Sequence, residues 1–95
     1  MSIESSLQSE IRRYLKSKGC YVLVTKPQPG IPTGCPDIIF MVEGFWGAIE
    51  VKDKSTAKYQ PLQKETLDLF NEWSWAKRVD PTNWLIVRAE LDKML

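Results

Sequence analysis

The stretch PDIIFMVEGFWGAIEVK, residues 36–52, decides the fold. Two runs rich in β-branched and aromatic residues, Asp37–Val42 and Phe45–Lys52, flank Glu43-Gly44 and read as a β-hairpin closed by a two-residue turn. In that register Val42 pairs with Phe45, Ile38 with Ile49, and Asp37 stands opposite Glu50. Facing carboxylates, with Cβ atoms about 4.5–5.5 Å apart, repel unless a proton or a cation sits between them. Strand period puts Lys52 on the same face as Glu50, about 6.5–7 Å along, and turns Val51 into the core. The apolar content of both strands predicts burial on both faces.

Outward from the hairpin, the preceding KPQPGIPTGCP holds four prolines and two glycines and reads as a shaped loop. Before it, Cys20–Thr25 (CYVLVT) is a short strand. From Ser2 to Lys18, Ile3, Leu7, Ile11, Tyr14 and Leu15 form one stripe of an amphipathic helix that Gly19 closes. Glu4 and Gln8 share one shoulder of that stripe, and Glu10 lies on the other.

Beyond the hairpin, Ser55–Pro61 is a polar connection, and Leu62 to about Trp73 is a second amphipathic helix with Pro61 suited to its first turn. Asp80-Pro81-Thr82-Asn83 marks a turn. Trp84–Arg88 (WLIVR) reads as the last strand and Ala89–Leu95 as a short terminal helix. The order αβββαβα describes one α/β domain over residues 1–95, a central mixed sheet flanked by helices.

Composition narrows the chemistry. With no histidine in 95 residues, imidazole bases, His-based triads and His-containing zinc sites are excluded, leaving carboxylates and lysines. Two cysteines, Cys20 and Cys35, are too few for a disulfide framework and read as reduced, packed side chains. Cys35 has no evident base beside it and reads as a neutral spacer rather than a nucleophile. The first residues, MSIESSLQSEIRRYL, lack the basic start and apolar run of a signal peptide, so a cytoplasmic chain is expected.

The net charge of +1 hides a pattern: residues 1–26 and 52–64 are basic and residues 27–51 acidic. Such runs also occur as ordinary solvated faces. If the partner is a polyanion, Arg12, Arg13, Lys26, Lys54 and Lys58 are the candidate phosphate contacts.

Two carboxylates that leave most of a coordination sphere open suit Mg²⁺, and a lysine alongside can stabilise charge on a phosphate oxygen. By itself the D…ExK spacing also fits a turn-capping aspartate followed by a surface Glu–Lys pair. The wider pattern is more specific. Gly34-x-Pro36-Asp37 with Ile38-Ile39, then Glu50-Val51-Lys52, then Gln63 at the start of a helix, resembles the PD-(D/E)XK nuclease superfamily. It looks in particular like the virus-type replication-repair nuclease (VRR-Nuc) family. ESSLQ (residues 4–8) is similar to that family's helical E-x-x-x-Q, and Gly19 to the glycine that ends its helix.

The resemblance implies a metal-dependent DNA endonuclease using Mg²⁺ or Mn²⁺ and leaving 5′-phosphate and 3′-hydroxyl ends. Asp37 and Glu50 would be metal ligands, with the Val51 carbonyl as a further one. Lys52 would be the catalytic lysine, Glu4 the acidic residue of the first helix, with Glu10 as the competing choice, and Gln63 would orient Lys52 or touch the DNA backbone. Gln8 joins the basic residues in the DNA-contacting set. Small lone members of the family resemble phage-encoded junction-cutting enzymes, which points to branched DNA, such as four-way (Holliday) junctions, and to DNA repair. Two matched cuts need two sites, so a homodimer burying some of Trp46, Trp73, Trp75 and Trp84 is expected. The alternatives are a non-catalytic DNA-binding module on the same fold and a small structural subunit of a phage or repair assembly.

Overall fold

The computed structural model describes residues 2–25 and 29–95. Seven elements follow in the order α1 (Ile3–Ser17), β1 (Tyr21–Val24), β2 (Ile38–Val42), β3 (Phe45–Val51), α2 (Gln63–Trp73), β4 (Trp75–Val79) and α3 (Trp84–Met94). The strands form one mixed sheet in the order β1-β2-β3-β4, antiparallel except for the parallel β3–β4 pair. This is the expected αβββαβα fold.

Helix α1 begins where the Ser2 hydroxyl accepts the Ser5 N–H at 3.0 Å, as a helix N-cap does. It ends at Gly19, whose φ of +82° lets the Cys20 N–H turn back to the Leu15 carbonyl at 3.1 Å. Its stripe of Leu7, Ile11 and Leu15 is buried against Ile38, Phe40, Ile49 and Val51, together with Trp84, Val87 and Leu91 of α3. Helix α2 covers the opposite face, where Leu67 packs on Ala48 and Ala76.

Because α2 lies mainly over β3 and β4, burial on both faces holds for β3 and not for all of β2. Residues 47–51 are buried without interruption, whereas Met41 of β2 is 41 % exposed. The hairpin register is the expected one, from Val42 opposite Phe45 to Ile38 opposite Ile49.

Two elements depart from the sequence reading. WLIVR, read as a strand, is the first part of α3, and the fourth strand is Trp75–Val79. A solid apolar run hides its period; here Trp84, Val87 and Leu91 are buried at helical spacing, while Leu85 and Ile86 are 66 % and 72 % exposed. The Asp80–Asn83 turn starts that helix: Asp80 accepts the Thr82 N–H at 2.8 Å on its carboxylate and the Trp84 N–H at 3.1 Å on its carbonyl. The true strand escapes a pattern search because Lys77 and Arg78 stand in its middle. Pro61 lies ahead of α2 rather than in its first turn. Gln60–Gln63 closes a β-turn, Gln63 N–H to Gln60 carbonyl at 3.1 Å, with Pro61 at its second position and Leu62 at φ +67° at its third.

Candidate active site

Asp37 is the residue immediately before β2, so the next pair of the hairpin register is Asp37 with Glu50. Its backbone is pinned by Thr25, a buried residue at the end of β1. The Thr25 N–H donates to the Asp37 carbonyl at 2.9 Å, and its hydroxyl donates to the Pro36 carbonyl. The side chain is aimed by the Val51 N–H, which donates to Asp37 Oδ2 at 2.9 Å. Gly34 brings the preceding loop onto the start of α2: at φ +87° it lies so close to Leu62 that a Cβ there would fall 2.8 Å from the Leu62 carbonyl carbon.

Glu50 is 2 % exposed and its Oε1 is buried without a hydrogen-bond partner. Burial first, and the neighbouring Asp37 charge second, push its carboxyl up to about 7, against the opposing pull of Lys52. A buried polar atom left without a partner is uncommon in a folded protein. The pair therefore sets a carboxylate oxygen without a donor beside a second acid.

The cation of the cluster is Lys52, 8 % exposed, whose Nζ lies 3.5 Å from Glu50 Oε2. Its backbone N–H donates to the Val79 carbonyl at 2.8 Å, carrying the sheet ladder one residue past β3. Gln63, the first residue of α2, joins the charges. Its Oε1 accepts from Lys52 Nζ at 2.8 Å and from the Gln60 N–H at 2.7 Å, while Nε2 donates to Glu50 Oε2 at 3.0 Å. Asp37, Glu50, the Val51 backbone, Lys52 and Gln63 are thus one connected cluster.

The other expected residues are distributed differently. Among the described residues no three Cys, Asp or Glu side chains gather as a metal-holding group, so Asp37 and Glu50 stand as a pair that Glu4, in the first turn of α1, does not join. Glu10 is occupied elsewhere, accepting the indole N–H of Trp84 at 2.7 Å. Gln8 is 5 % exposed and offers little to a DNA strand. Arg13, Lys54 and Lys58 are exposed and Arg12 is half-buried; Lys26 lies outside the described residues.

Burial raises the Cys35 thiol's pKa, in keeping with a neutral spacer. Trp75 and Trp84 belong to the protein's own core, which leaves Trp46 and Trp73 for any interface.

Comparisons with family models, with curated proteins and with solved structures found no match to this chain. Two residues of the site's surroundings had no signal in the sequence. Thr25 reads there as an ordinary strand residue, and Arg78 sits in the strand that the sequence pattern concealed.

Proposed function

We propose that the chain is a Mg²⁺- or Mn²⁺-dependent endonuclease that hydrolyses phosphodiester bonds in DNA, branched DNA above all. The observation that carries this reading is the buried Glu50 beside the half-buried Asp37, with an unpartnered Glu50 oxygen on one side and the Lys52 ammonium on the other. Hard oxygen donors few enough to leave room for water and phosphate oxygens fit Mg²⁺ better than softer metals. Asp37, Glu50 and the Val51 carbonyl would hold it. When bound, such an ion neutralises charge on the phosphate and eases ionisation of water.

The chain's own residues supply the rest. Gln63 accepts one Lys52 donor and Glu50 pairs with the same ammonium, keeping it fixed with a remaining proton for a phosphate oxygen as negative charge develops in the transition state. The 5′-phosphate and 3′-hydroxyl ends are what the resemblance to the PD-(D/E)XK nucleases implies, with water displacing the 3′ oxygen from phosphorus. Lys54 and Lys58, exposed on the connection that follows Lys52, are suited to the DNA backbone.

A second copy of the chain fits the same reading. Tyr21, Met41 and Trp46 are register neighbours across β1, β2 and β3, and Trp46, Phe70 and Trp73 are stacked edge to face and face to face at 5.6 Å and 5.8 Å. Tyr21 is 67 % and Trp73 64 % exposed, so an apolar strip runs across the half of the sheet that α2 leaves open.

The test is to incubate the protein with labelled linear duplex, splayed, flapped and four-way-junction DNA in Mg²⁺, Mn²⁺, Ca²⁺ or EDTA. Cleavage in Mg²⁺ or Mn²⁺, absent in EDTA and reduced at least ~10²-fold by Lys52→Ala while binding in Ca²⁺ persists, supports the proposal. Binding without cleavage under every condition would leave a DNA-binding module instead.

A further inference from the structure

Arg78 of β4 is the register neighbour of Glu50 on β3, yet it pairs with no carboxylate among the described residues. A half-buried guanidinium that forgoes an available acid must be satisfied another way. Its Nη2 fans out over three backbone carbonyls, those of Lys54 at 3.3 Å, Ser55 at 3.1 Å and Ala57 at 2.5 Å. Its Cζ lies 4.9 Å from the centroid of the Tyr59 ring, a cation–π contact. Every one of these partners belongs to the connection between Lys52 and Gln63.

That connection has no helix or strand of its own, and only one backbone hydrogen bond within it, Ala57 N–H to Lys54 carbonyl at 3.2 Å, precedes the closing Gln60–Gln63 turn. Its shape is therefore set largely from outside, by one side chain on β4. From Arg78 a series of direct contacts leads into the cluster: Arg78 on Tyr59, Tyr59 joined to Gln60, the Gln60 N–H on Gln63 Oε1, and Gln63 on Lys52 and Glu50. The Gln60 N–H also settles the sense of the Gln63 amide, since it and Lys52 both need the oxygen, leaving the nitrogen to Glu50.

We propose that Arg78 is a positioning residue: by clamping the 53–60 connection it holds the Gln63 amide across Lys52 and Glu50 and fixes the backbone that carries the basic residues Lys54 and Lys58. The proposal deepens the nuclease reading and rests on it for the consequence in catalysis, although the positioning itself is independent of what the site does. A guanidinium suits the task because one of its nitrogens, Nη2, meets the carbonyls while its plane lies against the aromatic ring. A lysine ammonium can meet the carbonyls, but it has no plane to lie against the Tyr59 ring while doing so.

The experiment compares wild type with Arg78→Ala, Arg78→Lys and Tyr59→Leu by nitrogen–proton NMR, Mn²⁺ titration calorimetry and single-turnover cleavage of a four-way junction. In wild type the Gln63 side-chain amide protons should be protected from exchange. In Arg78→Ala that protection should fall at least ~10-fold, the backbone amides of 53–60 should exchange faster, and Mn²⁺ affinity should stay within about 2-fold because Asp37 and Glu50 are held by the sheet. Cleavage should drop ~10–100-fold, and Arg78→Lys should recover only part of both losses.

If Arg78→Ala does not fold, Tyr59→Leu carries the test, with the same local loss expected. An unchanged Gln63 amide and an unchanged 53–60 exchange pattern in a folded variant overturn the proposal. Absence of cleavage in wild type overturns the nuclease reading alone, because the amide measurement still answers whether Arg78 positions Gln63.

Discussion

Gln63 donates its side-chain amide to Glu50 at 3.0 Å, joining the first residue of α2 to the penultimate residue of β3. The bond gives a buried carboxylate a neutral donor, while the same amide's oxygen takes the neighbouring lysine. Glu50 is thereby kept at the site without being fully neutralised, the state a cation ligand needs.

Replacing that amide should separate the two roles. Gln63→Ala leaves Glu50 short of a donor and should cost about 1–3 kcal/mol in urea unfolding. Gln63→Glu keeps the size but swaps a donor for a third carboxylate beside Glu50, so its loss of stability in EDTA should be greater and its recovery in Mn²⁺ larger than in wild type. An identical Mn²⁺ response in the two variants would show that the amide does not face Glu50.

If Asp37 and Glu50 hold a cation, the folded state alone binds it, and saturation at ~100 times the dissociation constant contributes about 2.7 kcal/mol. For a domain of this size that is a rise of several degrees or more in the thermal midpoint. Asp37→Asn should lose most of the rise. A midpoint indifferent to millimolar Mn²⁺ argues against the cation site.

The acid dependence in EDTA has a definite sign. The folded-state pKa of Glu50 lies at about 7, above the ordinary value of 4.5, so between these limits the folded protein holds the proton more tightly than the unfolded chain. Stability from this group is fully present below about 4.5 and is lost as pH rises through about 7. Midpoints recorded between pH 5 and pH 8 should fall in wild type and change less in Glu50→Gln. Equal slopes for the two proteins would mean that another group carries the effect.

The two acids of α1 should part company. Glu10→Ala strands the indole N–H of Trp84, which is 3 % exposed, and should cost about 1–3 kcal/mol of stability with cleavage at low temperature retained. Glu4→Ala should barely move stability, and the acidic role proposed for it predicts a ~10²-fold loss of cleavage. Parallel losses in both proteins would withdraw that role from Glu4.

The exposed strip from Tyr21 to Trp73 should be the dimer contact. Light scattering at micromolar concentration should give twice the monomer mass, and Trp73→Lys or Met41→Lys should give the monomer with an unchanged circular dichroism spectrum, since both side chains already face solvent. A persistent dimer in both variants would move the contact elsewhere.

The hairpin was legible in the sequence because a two-residue turn leaves only one register, and that register alone puts Asp37 next to Glu50 and Lys52 on the Glu50 face. The stripe of α1 was legible for a similar reason: helix period and the Gly19 stop are local properties of the chain. WLIVR is different, since its intrinsic preference is for a strand and only docking of Trp84, Val87 and Leu91 on the sheet makes it helical. Nor does local sequence say that β4 lies parallel beside β3, and from that placement alone follows Arg78's hold on the loop ahead of Gln63. What is set by neighbours a few residues apart could be read from the order of the residues; what depends on surfaces meeting across the sheet was decided only when the chain folded.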